Sequence, residues 1–298
     1  MKQQTLKREY KFEGRGLHTG RYAHLVLCPA PENFGLRFLR TDLGLEIPAV
    51  ATNVTRTDRS TTLSLGEESV ITVEHLLSAL TGLGVDNALI KLDNTEVPIL
   101  DGSAETYVRA IAPDGLHIQD APRRYVELKE EVEVRDEQTG SWVRLTPSES
   151  FCVEVTVDFN SRVLGVQHAS WCENSDYVGQ VAPCRTFCFF HELEALAQRG
   201  LVKGGDVDNA IVIVENPVSD EQIRNMCALF GQPALSVTDK GYLSNIRLHF
   251  PNECGRHKLL DLIGDLRLVG GFPKLAVTAF KPGHRINTEA AKAVLSKL

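Results

Sequence analysis

His257-Lys258-Leu259-Leu260-Asp261-Leu262-Ile263-Gly264-Asp265-Leu266 reads as a helix on which two demands conflict. Leu259, Leu260, Leu262, Ile263 and Leu266 wrap most of its surface. A helix apolar nearly all round is a buried helix. Yet His257, Asp261 and Asp265 stand at i, i+4 and i+8, which is a single face. Ionisable groups taken out of water must be satisfied by something. A metal would do this, because His at i and Asp at i+4 can reach one ion. A His–Asp hydrogen bond inside a core would also do it.

Working outward, the spacing predicts a helix over 257–268 that ends at Gly270 and Gly271, then a strand at 275–280 and a helix at 288–298. The same order stands in the first half: a helix at 70–83 ending at Gly82 and Gly84, a strand at 87–92, and a helix at 103–111 capped by Asp101 or Ser103. Both copies carry a His followed by apolar residues, His75-Leu76-Leu77 and His257-Lys258-Leu259-Leu260. A duplicated α+β unit accounts for this, and so does the commonness of the order helix–strand–helix, since the copies share a pattern and few identities. Further strands are expected at 21–27, 35–40, 124–135, 142–147 and 151–159, and further helices at 186–199 and 221–230. A short apolar run fills 210–214, and 113–123, with Pro113, Gly115 and Pro122, reads as a linker. The expected division is 1–122 and 123–298.

The 298 residues, 43% hydrophobic and 24% charged, describe a globular chain able to bury a core. A net charge of −7 with no dense Lys/Arg run speaks against nucleic acid as a partner. No apolar signal region opens the chain and no stretch is long enough to span a membrane, so a soluble, cytoplasmic protein is expected. Seven cysteines, an odd number with no C-x-x-C pair, read as free thiols in a reducing compartment.

Two more stretches carry chemistry. In Thr72-Val73-Glu74-His75 a Glu–His pair opens an apolar helix, so His75 could add a third ligand while Glu74 faces an adjoining sector. Three protein ligands with a free carboxylate beside them is the pattern of a catalytic metal site. A Glu at a helix start is equally at home as a charge near the dipole. Lys281-Pro282-Gly283-His284 follows an apolar strand, where a loop histidine can reach a ligand or simply face solvent. Gly14-Arg15-Gly16-Leu17-His18-Thr19-Gly20 matches neither a P-loop nor a dinucleotide fingerprint.

Taken together these stretches resemble the UDP-3-O-acyl-N-acetylglucosamine deacetylases, zinc enzymes of lipid A synthesis in Gram-negative bacteria. The resemblance runs in family order through Gly16-Leu17-His18-Thr19-Gly20, Thr72 to His75, Glu96-Val97-Pro98-Ile99-Leu100-Asp101-Gly102-Ser103, Arg185-Thr186-Phe187, Gly204-Gly205-Asp206-Val207-Asp208-Asn209, His257 to Asp265, and Lys281 to His284. It implies two similar α+β domains forming a sheet–helices–sheet sandwich with the active site between them. It implies His75, His257 and Asp261 as ligands of one Zn2+ ion, a set that Fe2+ also suits. Glu74 is implied as general base, His284 as general acid with Asp265 orienting it, and Thr186 as the hydroxyl that helps hold the oxyanion. Lys258, Lys281, Asp158, Phe159, Phe187 and His18 are implied as substrate-binding, Phe159 against the uracil. Asp101 falls in a matching motif without an assigned role.

The implied partner is a UDP-linked, acylated amino sugar, with the protein peripheral to the inner membrane. An apolar βαβ insert for the acyl chain is expected near 196–215. The segment 216–252 is longer than in many members. Some relatives are fused to a dehydratase, so a fused dehydratase domain in a longer protein is one reading, and the sequence leaves it open whether this chain is such a piece. A same-fold hydrolase with another leaving group, and an inactive nucleotide-sugar- or lipid-binding protein, are the alternatives.

Overall fold

The strands expected at 87–92 and 275–280 each sit at the centre of a sheet. The computed structural model describes residues 1–198, 203–206, 209–229, 231–232, 235–244 and 246–298. Ala88–Leu92 is the middle strand of a five-stranded sheet ordered Tyr10–Arg15, Tyr22–Pro29, Ala88–Leu92, Leu36–Arg40, Leu45–Pro48. Phe272–Phe280 holds the same place in the order Val132–Asp136, Ser141–Pro147, Phe272–Phe280, Cys152–Asp158, Val166–Cys172. Tyr125–Glu127 adds a parallel pairing along its start. The directions repeat too: antiparallel, antiparallel, parallel, antiparallel in the first sheet and in the second. In both, the central strand arrives last in the chain, after a helix that provides the crossover a parallel neighbour requires. The shared order, and the same sequence of directions along the five ordered strands, favour duplication over coincidence.

Alternation sets which face of each sheet turns inward. In Cys152–Asp158, Val153, Val155 and Val157 are buried while Glu154 is exposed. The helices Glu74–Leu83 and Glu253–Leu266 pack against each other between the sheets, and one core joins Leu25, Phe38 and Ile90, Leu76 and Leu80, Leu259 and Ile263, and Val143, Val155 and Val277. Each such aliphatic side chain contributes about 1.5–3 kcal/mol by leaving water. Of Glu253–Leu266 only Arg256 and Lys258 escape burial, as an all-round apolar helix requires. The two helices approach so closely that a Cβ on Gly264 would overlap the Glu74 carbonyl. Gly82 lies inside its helix against the Tyr177 ring, and Gly84, at φ 85°, ends that helix.

Several elements depart from expectation. The first core helix starts at Glu74, because Glu68–Ile71 is a strand in a sheet with Val54–Arg56 and Thr62–Leu65. Apolar periodicity alone does not separate a short strand from the first turn of the helix behind it. Leu116–Pro122, expected as a linker, pairs antiparallel with Lys2–Leu6. Most of its side chains are at least partly exposed, so no apolar alternation marks it. Arg123 beside it is buried, with Nη2 2.9 Å from Asp86 Oδ2 and its guanidinium 4.0 Å over the Phe272 ring.

Residues 186–199 are not helical throughout. Phe187–Phe189 is a strand, parallel to Ile211–Ile213, with the helix Phe190–Gln198 between them. This βαβ unit therefore begins at Phe187 rather than near 196, and residues 199–202 and 207–208 of the expected insert lie outside the described residues. Within 216–252, the helix Asp220–Leu229 packs Ile223 and Cys227 onto Phe190, Leu193 and Val214. Cys152 and Cys172 are not free thiols: they face each other across an antiparallel pair and form a disulfide. Counting cysteines gave no access to that register. Among the described residues no helix is long and apolar enough to cross a membrane.

Candidate active site

Glu74 and His75 open the first core helix where it crosses the second, and the second presents His257, Asp261 and Asp265 along the face toward it. His284 begins the helix His284–Leu295 just after the strand Phe272–Phe280. His75 Nε2 lies 3.5 Å and His257 Nε2 3.3 Å from Asp261 Oδ1. The candidate ligand atoms of these three buried residues all fall within 4.8 Å of one another. Asp261 Oδ1 is buried and, among the described residues, has no hydrogen-bond donor of its own. An orphaned carboxylate oxygen facing two imidazole nitrogens fits a metal ion.

The surroundings prepare the set. His257 Nδ1–H donates to the Cys184 carbonyl at 3.0 Å, which leaves Nε2 with its lone pair toward Asp261. Burial, outweighing the pull of Asp261, lowers His257 to about 3, so it is the neutral imidazole that binds metals. Burial works against a charge on Asp261, but the Lys258 ammonium holds its carboxyl well below the usual range. Lys258 Nζ donates to Asp261 Oδ2 at 2.8 Å.

Beside this set lies a second cluster. His284 Nδ1–H donates to Asp265 Oδ2 at 3.1 Å, and His284 Nε2 is 3.9 Å from Glu74 Oε1. Burial alone would lower the imidazole, but Glu74 and Asp265 outweigh it and push His284 up to about 9. Burial raises the Glu74 carboxyl against the pull of His284 and His75. Glu74 thus favours taking a proton and His284 favours holding one, side by side.

These groups line one wall of a cleft of about 330 Å3 whose other residues include His18, Arg59, Thr186, Phe187 and Lys281. Among the described residues neither ring nitrogen of His18, both buried, has a partner, and burial, against the pull of Glu96, lowers its pKa. The Glu96 carboxylate holds that loop by accepting from His18 N at 2.9 Å and Thr19 N at 2.8 Å. Asp158 and Phe159 do not line the cleft. They stand at its rim, Asp158 Oδ2 3.5 Å from Lys281 Nζ and Phe159 edge-on to Phe187 at 5.5 Å. Asp265 sits behind His284. Asp101 is turned away, accepting from Ser103 Oγ at 2.9 Å.

Sequence reasoning missed four participants. Thr61 donates to Glu74 and to Asp265, Asn287 Nδ2 donates to Asp265 Oδ2 at 2.9 Å, and Cys184 supplies the carbonyl under His257. Arg59 reaches from the cleft to Glu192 with contacts of 2.8 and 3.1 Å. None has a local pattern, since each is defined by a partner distant in the chain.

The model of the family described as UDP-3-O-acyl N-acetylglycosamine deacetylase matches residues 3–226 and 230–296. The chain is 44% identical over 299 residues to the bifunctional enzyme LpxC/FabZ of Porphyromonas gingivalis, covering 100% of this chain and 65% of that protein. It is 42% identical over 300 residues to the enzyme of the same name from Bacteroides thetaiotaomicron, again 100% of this chain and 65% of the relative. The UDP-3-O-acyl-N-acetylglucosamine deacetylase of Cellvibrio japonicus is 38% identical over 302 residues, 100% of this chain and 91% of that protein. The chain thus spans a little under two thirds of the bifunctional relatives and nine tenths of the Cellvibrio enzyme.

Proposed function

The chain belongs to the UDP-3-O-acyl-N-acetylglucosamine deacetylase family, and from that membership we propose that it hydrolyses the acetamide of a UDP-linked, 3-O-acylated N-acetylglucosamine, releasing acetate, in lipid A synthesis. The observation that carries the reading is the unpartnered Asp261 Oδ1 facing His75 and His257, directly beside the Glu74–His284 pair. Zinc is the ion we assign to His75, His257 and Asp261, although Fe2+ suits the same donors. Bound there, it would polarise the carbonyl and lower the pKa of a water to about 7.

The chain's own residues do the rest. Glu74 takes the proton of the attacking water, which its raised carboxyl favours. His284 holds a proton at Nε2, with Nδ1 turned to Asp265, and delivers it to the departing amine. The Thr186 hydroxyl donates toward the oxygen on which charge develops. Lys258, Lys281 and His18 meet the polar part of the substrate, and Asp158, Phe159 and Phe187 the nucleotide at the rim.

We read 1–122 and 123–298 as the two units that close on this site. The apolar unit from Phe187 to Ile213 is the place for the acyl chain. A nucleotide-sugar substrate fits a cytoplasmic protein working at the inner membrane surface, and the fused relatives fit a dehydratase module in the same polypeptide. Metal analysis joined to an acetate-release assay tests the whole: near one equivalent of metal and acetate release lost on chelation is expected. Acetate release that persists in metal-free protein would refute the reading.

A further inference from the structure

Thr61 is fully buried and is bonded through three different atoms to three parts of the site. Its amide N–H donates to Glu74 Oε2 at 3.0 Å. Its hydroxyl donates to Asp265 Oδ1 at 2.6 Å. Its carbonyl accepts from Thr72 N at 3.1 Å, and Thr72, at φ 62°, is the left-handed residue that turns the chain from the strand Glu68–Ile71 toward Glu74. Glu74 stands on one core helix and Asp265 on the other, so the bonds of this one residue cross between the two halves of the fold.

We propose that Thr61 is a positioning residue for the hydrolytic step: its amide and hydroxyl together hold Glu74, the base, at a set distance from Asp265, which aims His284, the acid. The inference rests on the deacetylase reading and adds to it. The two donors belong to one residue, so the covalent frame of Thr61 sets the separation of the groups they hold. The water that Glu74 deprotonates and the amine that His284 protonates belong to one reacting centre, so both transfers depend on that separation to a fraction of an ångström. Asp265 Oδ2 is already engaged by His284 and Asn287, which leaves Oδ1 as the oxygen through which the carboxylate is fixed to the opposite half. Thr61 is too far back to be a catalytic residue, as it does not line the cleft.

The test is Thr61→Val, which keeps the shape and the amide but removes the hydroxyl, set against Thr61→Ser, which keeps both donors. Thr61→Ala serves beside them as the smaller deletion, should valine prevent folding. The metal-loaded full chain is assayed for kcat, KM, metal content and melting temperature. A drop in kcat of roughly tenfold or more is expected for Val and Ala, with KM and metal content within about twofold and Ser within about threefold of wild type. A role in stability alone would lower the melting temperature and leave kcat of the folded fraction unchanged. The inference is overturned if Val and Ala both keep kcat, if Ser is as impaired as Val, or if kcat falls only in step with metal content. Wild-type protein that binds metal but releases no acetate would instead remove the deacetylase reading on which the inference stands.

Discussion

Replacing Glu74 by Gln should separate catalysis from metal binding, the roles proposed for two adjacent residues. Glu74 is 2% exposed, with Oε2 accepting from the Thr61 amide at 3.0 Å and Oε1 3.9 Å from His284 Nε2. A Gln carbonyl keeps the Thr61 bond, so the side chain stays in place and only its capacity to take a proton is lost. General-base assistance of about 10²–10⁴-fold should disappear from kcat. At about 1.36 kcal/mol per tenfold this is roughly 2.7–5.4 kcal/mol of barrier. A mere helix-start charge would contribute about 0.3–1 kcal/mol of stability and nothing to turnover.

Unfolding would not explain the loss. Burial raises the Glu74 carboxyl above its unfolded value of about 4.3, so in the metal-free protein its contribution is fully present below that pH and is lost as pH rises through the folded value. Glu74→Gln removes that decline, and the metal-free variant should melt no lower than wild type at pH 7. His75→Ala takes away one of the three proposed ligand atoms instead, so it should weaken metal binding by more than the 10–100-fold typical of losing an outer partner. Metal content after dialysis, melting temperature, and kcat and KM for acetate release on both variants decide the matter. The reasoning fails if Glu74→Gln turns over at near the wild-type rate, or loses metal as His75→Ala does.

Three further outcomes follow from the same geometry. His284 is held up to about 9, so kcat/KM should fall as pH rises past that value; Asp265→Asn, which removes a carboxylate that raises it, should move this limb to lower pH in the pH–rate profile, and an unmoved limb counts against His284 as the acid. Asp86→Ala removes the carboxylate 2.9 Å from the buried Arg123 guanidinium and leaves it only the longer pairing with Glu173 at 3.4 Å, so it should cost about 2–4 kcal/mol in a urea melt, where a loss under ~1 kcal/mol would mean the Asp86 pair is dispensable. Gly264→Ala puts a methyl against the Glu74 carbonyl and should force the core helices apart, costing about 1–3 kcal/mol and lowering metal content; full metal loading in this variant would show that the crossing has slack.

Much of the site is written in short-range pattern. The stripe of His257, Asp261 and Asp265 on an otherwise apolar helix follows from 3.6-residue periodicity, and the structure buries all three. Glu74 and His75 at a helix start, and His284 after a strand, belong to the same local grammar. The repeated order of helix, glycine, strand and helix pointed to two similar units, and the matching sheet orders agree. Phe190–Gln198 is the instructive failure: its helical periodicity was readable, but Phe187–Phe189 before it takes its strand form from pairing with Ile211–Ile213, beyond any local window.

Periodicity reports which side of an element is buried; it carries no information on which buried sides meet. That is why Thr61, bonded to a residue 204 positions away, had no visible signal. The register that sets Cys152 opposite Cys172, and the pairing of Leu116–Pro122 with the first strand, are likewise properties of hydrogen-bonded neighbours and not of composition. The orphaned oxygen of Asp261 belongs with them. The residue types and spacing on one helix named a candidate metal ligand, but only the crossing of two helices, close enough to exclude a side chain at Gly264, brings His75 from the other half of the chain within 3.5 Å of it.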